Sequence, residues 1–180
     1  QHPAAARGVG HGVQPAVVCL EVGFQTLDVQ QCHSEHLARV ERVTQAVTEH
    51  VDPDFLFFNG LPTAETTQLA YRAIGVPLYS SATFAFAPDL ALAFYNALES
   101  GNDELTQKLL GAFFCPLVRL RDTVPGYAVS LVKAGVTMEG IPAGPVRPPL
   151  VMPSAEDLDE LRTITAAGRA VLADALTQAV

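Results

Sequence analysis

The sequence predicts an α/β fold built on a parallel sheet, and three observations carry that expectation. Short apolar runs rich in β-branched or aromatic residues occur at residues 17–24, 55–58 and 76–80, the pattern of strands buried on both faces. Each run is followed by a segment whose apolar residues recur at helical spacing. Strand and helix alternating in series imply parallel strands joined by right-handed crossovers.

The elements follow in order. Residues 1–16, rich in Ala, Gly, His and Pro with no apolar period, are expected to form a flexible leader. After the first strand, Ser34 is expected to cap a helix carrying Leu37, Val40, Val43 and Val47. The second strand, Phe55-Leu56-Phe57-Phe58, ends at Asn59-Gly60. Thr63 is the expected N-cap of the next helix, with Leu69, Ala73 and Ile74 inward and Gly75 as terminator. The third strand leads to a helix opened by Pro88, where a missing N–H has no cost, with Leu90, Phe94, Ala97 and Leu98 inward and Gly101 at its end.

Beyond Gly101 no strand pattern remains. Asn102 should cap a helix bearing Leu105, Leu109, Phe113 and Leu117, kinked by Pro116. Pro125-Gly126 precedes a short helix over residues 127–134. The proline-rich stretch 141–153 reads as an extended surface connector. Ser154 and Asp157 form a capping-box-like start to a last helix carrying Leu158, Leu161, Ile164, Val171 and Ala175. The expected division is therefore a leader at 1–16, a strand–helix portion at 17–101 and a helical extension at 102–180.

Composition narrows the function. A hydrophobic fraction of 49% with 17% charged residues describes a filled globular core. The net charge of −8 argues against nucleic acid as a partner, because phosphate binding needs clustered Lys and Arg. No apolar run approaches the roughly 20 residues needed to cross a bilayer, so no membrane partner is expected. Cys19, Cys32 and Cys115 are odd in number and widely spaced, which fits a reducing, cytoplasmic setting.

In parallel α/β folds ligands sit beyond the C-terminal ends of the strands. Residues 23–28, 59–63 and 80–84 occupy those ends. Gly60 lets the backbone approach a ligand closely, and Ser80 and Ser81 place hydroxyls where the third strand stops. Against this stands the reading that Asn59-Gly60 is an ordinary turn and the serines satisfy backbone groups. Cys32, His33 and His36 cluster at a helix entry, but zinc requires three or four ligands and no second cluster accompanies them, so no metal site is expected. No phosphate-binding, dinucleotide or nucleophile-elbow motif is present, and no cofactor is expected. Arg119, Arg121 and Tyr127 could meet an anionic ligand, but they sit beyond the last strand, and ordinary helix-surface charge is the preferred account of them.

Five stretches carry a family resemblance: FLFFNGLPTAE (55–65), AYRAIGVPLYSSATFAFAP (70–88), ALAFYNAL (91–98), PLVRLRDTVPGYAVSLVKAGV (116–136) and GPVRPPL (144–150). In this order they resemble the dihydrodipicolinate synthase and N-acetylneuraminate lyase family, over well more than half of the chain. The resemblance implies the C-terminal portion of a (β/α)8 barrel plus a helical extension, its three units being the last three of eight. It also implies a lyase that removes water and CO2 from a keto sugar diacid through a lysine Schiff base, and homo-oligomers in full-length relatives. The family pattern around that lysine is Gly-Phe-Lys-Asp-Gly. Here Gly23-Phe24-Gln25-Thr26-Leu27 stands at the corresponding place, and the Gln25 amide cannot form a Schiff base. Of the two lysines, Lys108 should face solvent, and Lys133 lies in a stretch where relatives carry it without that role. By position Gly60 and Ser80 match family sites that contact the keto-acid part of the substrate, with Asn59 and Ser81 as their neighbours. The second reading is a truncated, inactive homologue or an interaction remnant using unpaired strand edges.

Overall fold

The computed structural model describes the backbone of residues 17–19 and 29–178, with side-chain surroundings from residue 36 to residue 177. The expected leader, the end of the first strand and Gln25 lie outside the described residues. Three strands, β1 (Val17–Cys19), β2 (Leu56–Asn59) and β3 (Leu78–Tyr79), form one sheet in the order β1-β2-β3. All pairs are parallel, with Val18 opposite Phe57, Phe58 opposite Leu78 and Asn59 opposite Tyr79. The two crossovers are helices α1 (Val29–His50) and α2 (Glu65–Ala73), and α3 (Pro88–Ser100) follows β3.

The helices described lie on one face of the sheet. Strand residues alternate between faces, and Phe57 packs with Val40 of α1, Tyr71 of α2 and Val76 in one buried cluster. Asn59, on the same face, bonds to α2, and Tyr79 opposite it stacks against Phe94 and Tyr95 of α3. The other face carries Leu56 (36% exposed) and Leu78 (40% exposed) and is open. Strands in sequential order with α1, α2 and α3 on one side form an arc of a barrel; a doubly wound sheet would place helices on both faces.

The expected helix signals mostly act as read. Pro88 sits in the first turn of α3, Gly101 ends it at φ +71°, and Gly75 follows α2 at φ +87°. Asn102 Oδ1 accepts the Leu105 N–H at 3.1 Å and opens α4 (Asp103–Leu109). Two expectations are corrected. Helix α1 begins at Val29, so Ser34 lies inside it; Val29-Gln30-Gln31-Cys32 contains neither Gly nor Pro to delay the start. Helix α2 buries Glu65, Gln68 and Tyr71 instead of Leu69, which is 38% exposed. Its inward stripe is polar because Gln68 Nε2 satisfies the Val76 and Pro77 carbonyls at 3.1 and 3.2 Å. The expected long helix runs to Arg121, and a π turn, Leu110–Phe114, joins α4 to α5 (Cys115–Arg121) just before Pro116. The wide turn absorbs the missing Pro116 N–H and the clash of its ring with the preceding turn.

Helices α6 (Tyr127–Met138) and α7 (Ala155–Gln178) complete the chain. The reciprocal box at α7 forms as expected: Asp157 N–H donates to Ser154 Oγ and Ser154 N–H to Asp157 Oδ2, both at 3.1 Å. The largest core joins α3 to these helices through Leu90, Phe94, Leu109, Phe113, Leu120 and Leu161, all buried.

Candidate functional site at the strand ends

The C-terminal ends of β2 and β3 lie side by side, and the backbone there is fixed by side chains from α2. Asn59 is fully buried. Its Nδ2 donates to Gln68 Oε1 at 3.0 Å and Thr67 Oγ1 at 3.1 Å, and its Oδ1 accepts the Leu61 N–H at 3.2 Å. The side chain therefore shapes the turn that presents Gly60, and it is turned away from the open face.

One residue further along each strand, the register that pairs Asn59 with Tyr79 sets Gly60 opposite Ser80. By alternation both share the face of Phe58 and Leu78, the inner face of the arc. The Ser80 N–H donates to Asn59 O at 3.1 Å, and the residue is exposed. Ser81 falls on the other side: its hydroxyl bonds to Glu65 Oε1 and lies 2.8 Å from Thr83 Oγ1. The four sequence candidates thus separate, Gly60 and Ser80 on the open face, Asn59 and Ser81 toward the helices.

Two features were not legible beforehand. Glu65 in the first turn of α2 is fully buried, with Oε1 accepting from Ser81 and from Thr83 at 3.0 Å, while Oε2 has no hydrogen-bond partner. Burial pushes its carboxyl above the ordinary value, and the hydroxyls of Ser81 and Thr83 partly oppose that rise. An acidic residue opening a helix reads from sequence as a favourable partner of the helix dipole. Only the hydroxyl pair at the end of β3 hinted at an enclosed acceptor.

The second feature is Thr63. It does not cap α2 through its side chain; it adopts φ +55°, and the cap position is Ala64. In the first turn the Thr66 and Thr67 N–H groups donate to the Thr63 and Ala64 carbonyls. Arg121 of α5 clamps this loop, donating to Pro62 O at 2.7 Å and to Thr63 Oγ1 at 3.3 Å, while its Nε pairs with Asp122. Arg121 is therefore a loop-holding residue. Arg119 is exposed, and Tyr127 donates to Asp157 Oδ2 at 2.7 Å.

The remaining candidates lie elsewhere. Lys108 is exposed on α4 and pairs with Glu104 at 2.6 Å; Lys133 is half-buried on α6. His36 Nε2 lies 2.8 Å from the Tyr71 hydroxyl, and the side chains of Cys32 and His33 are outside the described residues. Among the described residues no three His, Cys, Asp or Glu side chains converge as a metal site, and no helix is long and apolar enough to cross a membrane.

Comparison with known proteins agrees with this arc of strands. A "Probable 5-dehydro-4-deoxyglucarate dehydratase" of Streptomyces griseus subsp. griseus is 53% identical over 161 residues, 89% of this chain and 47% of the relative. Another, "Probable 5-dehydro-4-deoxyglucarate dehydratase 1" of Streptomyces avermitilis, is 52% identical over 76% of this chain and 44% of its own length. The chain thus spans about half the length of the curated relatives it matches. Among solved structures, dihydrodipicolinate synthase from Oceanobacillus iheyensis superimposes with a TM-score of 0.61 at 25% identity, covering 74% of this chain and 43% of the synthase. A sialic acid aldolase from Ruminococcus gnavus gives 0.60 at 19% identity, over 77% of this chain and 44% of the aldolase, a likeness of fold. Matching the dihydrodipicolinate synthetase family pattern over residues 31–167, the chain belongs to that family.

Proposed function

We propose that this chain is the C-terminal, site-bearing portion of a lyase that dehydrates and decarboxylates 5-dehydro-4-deoxyglucarate to 2,5-dioxopentanoate, CO2 and water. The identity of 53% over 89% of the chain to a relative carrying that name is the observation behind the reading. In such a site Gly60 and Ser80 form the wall against the keto-acid end of the substrate. Gly60 admits close backbone approach, and Ser80 offers a hydroxyl on the inner face. Asn59, Ser81 and Glu65 hold the two loops in register behind that wall.

The family's chemistry needs an amine to condense with the keto group, and Gln25 stands at the corresponding place. Lys108 lies on α4, paired with Glu104, and Lys133 lies on α6; neither stands on a strand. A second reading follows from these residues: the chain binds through its half of the site and performs no chemistry. We further propose a cytoplasmic setting and, for the complete barrel, homo-oligomeric assembly.

Treatment with the keto diacid and borohydride, followed by mass spectrometry, tests both. The S. griseus relative should acquire a reduced lysine adduct, and this chain should not. An adduct on Lys108 or Lys133 would overturn the view that the chain lacks the reactive amine. A relative that fails to label would remove the Schiff-base lyase reading altogether.

A further inference from the structure

The loop that carries Gly60 is anchored at both ends, by different parts of the fold. At its start Asn59, held by Thr67 and Gln68 of α2, accepts the Leu61 N–H at 3.2 Å. At its far end the anchor comes from the helical extension. Arg121, in the last turn of α5, donates through Nη1 to Pro62 O at 2.7 Å and to Thr63 Oγ1 at 3.3 Å. Its Nε pairs with Asp122 at 2.8 Å, which aims the guanidinium, and its side chain is only 20% exposed. Thr63 needs such a hold. It is buried and sits at φ +55°, a region that a β-branched residue rarely enters. Such a conformation persists only where its surroundings impose it. Packing against α5 and α6 is incomplete at this point, with a gap of about 30 Å³ lined by Pro62, Thr63, Thr83, Leu117, Arg121 and Leu131. The Arg121 hydrogen bonds bridge that gap.

We propose that Arg121 is a positioning residue for the substrate site: without touching the substrate, it sets the affinity of the Gly60–Ser80 wall for the keto-acid group. This rests on the reading that Gly60 and Ser80 meet that end of the substrate. With Pro62 and Thr63 tied down and Leu61 bonded to Asn59, Gly60 is kept beside Ser80, its partner across the two strands. Without the guanidinium, Thr63 relaxes toward negative φ. Only Leu61 and Pro62 stand between it and Gly60, so the change is passed along the loop. Glycine adds no torsional resistance of its own. The clamp therefore fixes before binding a conformation that the ligand would otherwise have to select, which is preorganisation. Through this contact the helical extension takes part in recognition.

Titration of 5-dehydro-4-deoxyglucarate into the isotope-labelled chain, followed at the Gly60 and Ser80 amide signals by NMR, tests this. In Arg121→Gln the ligand-free signals of Gly60, Leu61 and Thr63 should shift or broaden. The dissociation constant should rise about ten-fold or more, as the loss of charge-assisted hydrogen bonds predicts. Arg121→Lys keeps one donor for Pro62 O and should fall between the parent and Arg121→Gln. Arg119→Gln removes the same charge from an exposed position of the same helix and should leave loop and affinity unchanged. Should Arg121→Gln lower the urea midpoint while loop signals and affinity stay those of the parent, Arg121 is a stabilising contact only and the proposal is overturned. An equal loss in Arg119→Gln overturns it as well, because net charge would then account for the effect. A parent chain whose Gly60 and Ser80 signals ignore the ligand removes the substrate reading and the proposal with it. That outcome is told apart from failure of the clamp by the ligand-free signals, which show whether Arg121 holds the loop.

Discussion

Glu65 carries no partner for one of its two carboxylate oxygens in a site from which solvent is excluded. Its carboxyl is held above the ordinary value of 4.5, so around neutral pH the folded chain bears a cost that the unfolded chain does not. Below pH 4.5 both states keep the proton and the cost vanishes. As pH rises, the unfolded chain releases its proton first, and stability falls until the folded-state carboxyl ionises as well. Glu65→Gln removes this titration while keeping an oxygen that can accept from Ser81 and Thr83. Urea midpoints of parent and variant at about pH 4 and about pH 7.5 should therefore diverge in favour of the variant at the higher value. An unchanged difference between the two pH values would mean that Glu65 is solvated. Asn59 shows the same limit of single-residue reading. Asn-Gly announced a turn, but that the Asn59 amide faces α2 and Ser80 faces the open arc depends on strand register, which no local pattern specifies.

Among the elements, those begun or ended by local chemistry were legible. Pro88, Gly101, Asn102 and the Ser154–Asp157 box act within one turn of chain, and each sits where its short-range signal placed it. Elements decided by distant partners were not. The inward stripe of α2 is polar because carbonyls at Val76 and Pro77 need donors, and an apolar period could not reveal that. Helix–helix approach is equally hidden, and glycine marks it. A Cβ built on Gly135 of α6 would stand 2.5 Å from the Phe86 ring, and one on Gly168 of α7 would stand 2.9 Å from both Leu90 and Phe113. Phe86, Leu90 and Phe113 are all buried in the packed interior. Gly135→Ala should thus destabilise by about 1–3 kcal/mol through overpacking, read as a lower urea midpoint with an unchanged slope. Helix propensity alone would favour alanine by up to about 1 kcal/mol, so a stabilised variant would show that α6 can move away from Phe86.

Over the whole molecule, cohesion is distributed unevenly. The larger cluster joins α3 to the π turn and α4–α7 with sixteen buried residues, whereas the cluster beneath the sheet has four: Val40, Phe57, Tyr71 and Val76. Among the described residues, strands β1 and β3 are each bonded on one side only, and the inner face at Leu56 and Leu78 is partly exposed. Burial scales with apolar area, so the helical part holds most of the favourable free energy and the sheet little of it. Regions with few buried contacts and open backbone edges unfold locally before the rest. Native-state hydrogen exchange on the chain alone should then separate two sets of amides. Those of α3, α5 and the buried side of α7 should exchange only near global unfolding, and those of α1 and β2 should open at lower free energy. Heating should give a broad transition instead of a single sharp one. Uniform protection across α1, β2 and α7 would show that the arc of strands is stable without the remaining barrel.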